Sequence, residues 1–141
     1  MILTTEPTKE FSKIRPSYGQ NSVITVGEEK TLKTANFRSF VQFSPDKMLR
    51  NQIFKTKNLT TDLLCFEGGQ SLKPQKNTES DKVYFVLEGK ARFTVGRTTR
   101  ELPAGTMILV KAGQEHGIIN LADQRLNIMV FFAKLPPEPK K

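Results

Sequence analysis

Apolar and polar residues alternate along most of this chain in short runs, broken by turn residues roughly every eight to twelve positions. Strands are expected at 22–26 (SVITV), at 31–35 as its hairpin mate, at 38–44 (RSFVQFS), at 49–57 and at 58–67, where NLTTDLLCFE has a strongly apolar centre. Ser44 is placed to cap the turn SPDKM between two of these runs. Gly68, Gly69 and Gln70 break the pattern, and SLKPQKNTES (71–80) reads as a polar loop with Pro74 inside it. The densest β-branched and aromatic run, KVYFVLE, follows and ends in the tight hairpin signal at Gly89 before ARFTV. TTREL, TMILVKA, HGIIN and the long run RLNIMVFFA (125–133) complete the series. No segment sustains an apolar stripe of helical period over three turns, so the fold class is all-β. The pattern alone fits a sandwich or a barrel equally.

Length and composition narrow the setting. The 141 residues suffice for one core, giving a loosely held arm over 1–21, a single β domain over 22–135 and a polar tail over 136–141. One cysteine rules out an internal disulfide, and Cys65, in the apolar run DLLCF, reads as a small core residue. The N-terminus lacks the layout of a secretion signal and no apolar run is long enough for a membrane helix; a soluble, cytoplasmic protein is expected. The net charge of +8 is scattered rather than blocked, which argues for a solvated basic surface and against nucleic-acid binding.

Two blocks within 69–120 have a fixed spacing. In the first, Gly69, Gln75, Asn77, Lys82 and Gly89 are separated by five, one, four and six residues; in the second, Gly105, Lys111, Gly113, His116 and Asn120 are separated by five, one, two and three. With the phrase VYFVLEG, this spacing resembles the cupin family over about 58–133. The resemblance implies a double-stranded β-helix, the jelly-roll barrel, and association into a homodimer. It also implies a metal site built from two His and a Glu in the first block and a His in the second. Here Gln75, Asn77 and Lys82 stand at the first three positions, and only His116 keeps the family's residue. Neutral amides are weak ligands for a transition metal. An ammonium about 4 Å from a divalent ion meets repulsion of about 4 kcal/mol per unit charge at an effective dielectric near 20. The expectation is therefore a barrel with no metal and no other cofactor. Glu79, Asp81 and Glu115 are the residues from which a displaced metal site would have to be assembled.

Convergence of Gln75, Asn77, Lys82 and His116 would make a polar pocket with one cation, suited to a small anionic or polar ligand. If Lys82 faces inward, alternation puts Tyr84 on the same face, and Phe93 joins from the next strand. These six residues are the candidate ligand-binding set. Three uses stay open: a non-catalytic scaffold with a solvated vestigial pocket, a ligand-binding protein, and an enzyme, either metal-dependent or working through Lys82 and His116.

Overall fold

The computed structural model describes residues 32–121 and 123–134, and the chain divides into two units, Met1–Phe40 and Val41–Lys141. The expected arm, the strand at 22–26 and the tail lie outside the described residues. In the first unit, residues 32–36 carry no strand: Leu32, the one large apolar side chain among them, is 69% exposed and has no face to bury. Phe37–Phe40 form a short 3-10 helix instead of the start of the expected strand at 38–44. The reason is local. The Asn36 side chain accepts from the Arg38 amide at 3.0 Å and its carbonyl accepts from the Ser39 amide at 2.9 Å, which satisfies these two amides locally and favours the turn over an extended strand.

Among the described residues the second unit holds nine strands: β1 (Leu49–Lys55), β2 (Leu59–Phe66), β3 (Ser71–Gln75), β4 (Ser80–Glu88), β5 (Lys90–Val95), β6 (Thr98–Pro103), β7 (Met107–Val110), β8 (His116–Ile119) and β9 (Leu126–Lys134). Ser44 does serve the turn ahead of β1, its hydroxyl accepting from the Asp46 amide. All described pairings are antiparallel, in a five-stranded sheet of order β1-β2-β9-β4-β7 and a four-stranded sheet of order β3-β8-β5-β6. Leu64, Phe66, Tyr84, Val86, Ile128 and Val130 of the first sheet meet Ala91, Phe93 and Ile118 of the second in one core. This is the all-β, double-stranded β-helix architecture. Cys65 is buried on β2, and burial pushes its thiol pKa up, as suits a core residue. Among the described residues no helix is long and apolar enough to cross a membrane.

One expected loop is a strand. SLKPQ pairs with β8 through Leu72–Ile118 and Gln75–His116, with the register broken between them. Pro74, which has no amide hydrogen, falls inside that break, and β3 is an edge strand, where proline is tolerated. Polar composition hid it because only Leu72 and Gln75 of its five residues are partly buried.

Candidate functional site

β4 positions the site. Its alternation buries Lys82, Tyr84 and Val86, while Val83 and Phe85 lie half-buried on the opposite face. On the facing sheet, His116 opens β8 and shares a rung with Gln75 of β3 and Val95 of β5. Across the barrel the Tyr84 hydroxyl meets His116 Nε2 at 2.7 Å, and the two rings pack edge to face at 5.4 Å. His116 Nδ1 lies 3.2 Å from the Gln114 carbonyl, which can only accept, so Nδ1 carries the hydrogen. Nε2 is then a lone pair, and the Tyr84 hydroxyl donates to it. Phe93 closes the group, edge-on to Tyr84 at 5.1 Å and stacked parallel to His116 at 6.4 Å. Its ring also lines an open cavity of about 270 Å³ between β6 and β7, walled by Val95, Leu102 and Ile108 with Arg100 among its lining residues.

The charges sit at the neighbouring rungs. Lys82 is only 3% exposed, and its ammonium lies 4.6 Å from the centre of the Phe132 ring, a cation–π contact. Asp62 of β2 shares a rung with Val130 and Tyr84, is 4% exposed, and takes an ion pair from Arg50 of β1 at 3.1 Å. Arg50 also lies 5.6 Å from the Phe132 ring centre. Burial lowers the Lys82 pKa, Arg50 lowers it further and Asp62 opposes them, which places all three in one electrostatic neighbourhood. Burial likewise pushes the Tyr84 phenol well above its ordinary range, against the smaller effects of Arg50 and Gln75. Tyr84 is therefore a donor and not a base at neutral pH.

Two polar atoms here lack partners. Gln75 lies close enough to lower the Tyr84 pKa slightly, but its buried Nε2 makes no hydrogen bond of ordinary geometry. The second oxygen of Asp62, Oδ1, is buried and unpartnered as well. Of the six expected residues, Gln75, Lys82, Tyr84, Phe93 and His116 come together. Asn77 does not join them: it lies in the loop between β3 and β4, where its Oδ1 accepts from the Glu79 amide at 2.7 Å. Asp62 and Arg50 were not foreseen. For Asp62 the signal existed, since alternation from the apolar Leu64 and Phe66 sends it to the inner face. Arg50 depends on the pairing and bulge of β1 with β2, which no local pattern encodes.

The residues do not fit a metal. The position of each first-block ligand holds an amide or an ammonium, and the one imidazole already accepts a hydrogen bond from Tyr84. Of the three carboxylates expected for a displaced site, Asp81 is bound to the Ala112 amide at 2.8 Å, and among the described residues no group of three His, Cys, Asp or Glu side chains is arranged to hold an ion.

Comparison with known proteins fixes the family. The profile of the cupin domain matches residues 62–132, about half of the chain and every residue of the site except Arg50. The chain belongs to the cupins. The protein SCO3923 of Streptomyces coelicolor is 32% identical over 87 residues, covering 62% of this cupin and 79% of that protein. Among solved structures, TT1209 from Thermus thermophilus superposes with a TM-score of 0.71 at 28% identity, over 74% of this cupin and all of that chain. A Klebsiella pneumoniae protein with a double-stranded β-helix domain superposes at 0.68 with 19% identity, over 73% of this chain and 90% of that one, which speaks for the fold alone.

His116 gives this cupin a testable pH response. Burial lowers its pKa below the ordinary 6.5, the Gln114 hydrogen bond opposes this, and Lys82 adds to the lowering. The unfolded chain then binds a proton more readily than the folded one, so His116 favours the fold fully above about pH 6.5 and less as pH falls through its folded value. The melting temperature is expected to drop between pH 7.5 and 5.5 by more in the parent protein than in His116→Gln. Equal slopes in a fluorimetric melt would remove His116 as the cause.

Proposed function

We propose that this cupin works without a metal and binds a small anionic ligand inside its barrel. The observation that carries the reading is Lys82. An ammonium buried to this degree is costly to hold, and among the described residues no carboxylate lies within ion-pair distance of it. A ligand carboxylate or phosphate would supply the missing partner, with Gln75 Nε2 as a second donor. The family's usual metal would be repelled from the place where this ligand is drawn in.

Lys82→Met tests the reading. Because the fold lowers the Lys82 pKa, the protonated side chain works against folding at every pH below its ordinary value, 10.5. The variant should melt higher than the parent at pH 7, yet lose any rise in melting temperature that small carboxylates or phosphate give the parent. A parent that responds to none of these anions, or a variant that responds as the parent does, would sink the reading. A second reading draws on the Tyr84–His116 pair at 2.7 Å, since a phenol bonded to a neutral imidazole is equipped to move a proton on whatever is bound. Conversion of a bound anion by the parent and not by His116→Gln, followed by NMR, would favour that enzymatic reading; an unchanged ligand favours binding alone.

A further inference from the structure

Asp62 restricts what the anion can be. Its Oδ2 is taken by Arg50, but its Oδ1 is buried, unpartnered and able only to accept. A buried acceptor left without a donor costs stability, so this atom marks a place where a ligand hydrogen is wanted. A plain carboxylate cannot provide it. Its oxygens also only accept, and beside Asp62 they meet a like charge. The rungs set the two requirements close together, because Asp62 shares one with Tyr84, and Lys82, two residues before Tyr84, occupies the neighbouring rung on the side away from the fully buried Leu64–Ile128–Val86 rung. The ligand must present an anionic group to Lys82 and Gln75 and a donor to Asp62.

The balance of charge then selects among molecules that have both. Arg50 and Lys82 carry two positive charges and Asp62 one negative, so the site holds a single excess positive charge. A monoanion neutralises it. A zwitterionic amino acid adds no net charge and leaves it standing, and a dianion overshoots. Resting on the anion-binding reading above, we infer that the ligand is a monoanionic hydroxycarboxylate, its carboxylate held by Lys82 and Gln75 and its hydroxyl donated to Asp62.

The experiment compares matched small acids on the full chain by calorimetric or fluorimetric titration: D- and L-lactate and 3-hydroxybutyrate against propionate, alanine and malonate. A hydrogen bond to a buried carboxylate is worth about a factor of ten in affinity, so the better lactate enantiomer or 3-hydroxybutyrate should bind about tenfold tighter than propionate. Alanine and malonate should bind more weakly than that hydroxy acid. Asp62→Asn keeps the shape, removes the charge and leaves Arg50 uncompensated, so malonate should then become the preferred ligand and the advantage of the hydroxyl should shrink to threefold or less. A merely structural Asp62 would not invert that ranking. Equal binding of hydroxy acids and propionate to the parent would overturn the assignment while leaving anion binding intact. Tightest binding of alanine would overturn it in favour of an ammonium donor. No binding of any of the six would overturn the anion reading beneath it. The parent comparison decides even if Asp62→Asn fails to fold.

Discussion

Gly89→Ala is expected to destabilise the barrel by about 3 kcal/mol or more, seen as a fall in the urea midpoint without loss of a cooperative transition. Gly89 has a φ of 91° between β4 and β5, and an L side chain there costs about 1–2 kcal/mol from backbone conformation alone. The larger part is collision. A Cβ would lie 2.5 Å from the Arg125 carbonyl oxygen and 3.0 Å from the Leu126 Cα. Both are backbone atoms where the chain enters β9, Arg125 just before it and Leu126 its first residue, and β9 is paired on both sides, with β2 and with β4. Leu126 itself is fully buried, so the strand cannot slide away without opening the core. Gly69, Gly105 and Gly113 supply the control. They have positive φ values of 85°, 95° and 92°, but an added Cβ at each meets nothing within 4 Å. Alanine at those positions should cost only the conformational part. If Gly89→Ala were no worse than Gly105→Ala, close packing on β9 would not be what keeps Gly89 a glycine.

These four glycines explain why the fold could be read from spacing. Each marks a backbone conformation that other residues adopt at a cost, and their separations fix the strand lengths between them. Alternation did the same for β4: placing Lys82 inward put Tyr84 and Val86 with it, and the barrel has them there. Reading failed where a local hydrogen bond or a distant strand decided the outcome. Asn36 turned Phe37–Phe40 into a 3-10 helix, and β8 drew SLKPQ into a sheet despite its polarity. Asn77 fell on the family's spacing yet lies in a loop, because spacing along the chain does not fix where an irregular segment points a side chain. The ion pair that completes the site, Arg50–Asp62, joins residues twelve apart across a bulged pair of strands. Charge in a β-barrel is gathered across rungs, and rungs are a property of register, which the chain order shows only indirectly.

Asn120, the last position of the second block, is expected to hold the framework as well, for a different reason. It is fully buried, and its Nδ2 donates toward the carbonyls of Gln124 at 2.8 Å, Glu67 at 3.1 Å and, more weakly, Phe66 at 3.4 Å. Its backbone adds the pairs Gly69 N–Asn120 O at 2.7 Å and Asn120 N–Gln70 O at 2.9 Å, so one residue ties the turn after β2 to the loop before β9. Asn120→Ala removes the side-chain bonds to the three carbonyls, of which that of Glu67 keeps the Gln70 amide as a donor. It also removes Oδ1, which is itself buried without a partner, and that partial relief keeps the expected loss to about 2 kcal/mol. Asn120→Asp tests the cause more sharply. It keeps the shape but replaces the donor by a second acceptor, facing three carbonyls with a buried charge and no cation among these contacts. The aspartate should therefore be the worse variant, by about 2 kcal/mol beyond alanine at pH 7, with part of the difference recovered on acidification as the carboxyl takes a proton and can donate. Urea midpoints of the three proteins at pH 7 and pH 5 decide it. Alanine and aspartate of equal stability at pH 7 would mean that the volume of Asn120, and not its amide hydrogens, holds the two loops. The predicted order would instead place Asn120 with the glycines as a residue of the framework, held there by the hydrogens of its amide rather than by its volume.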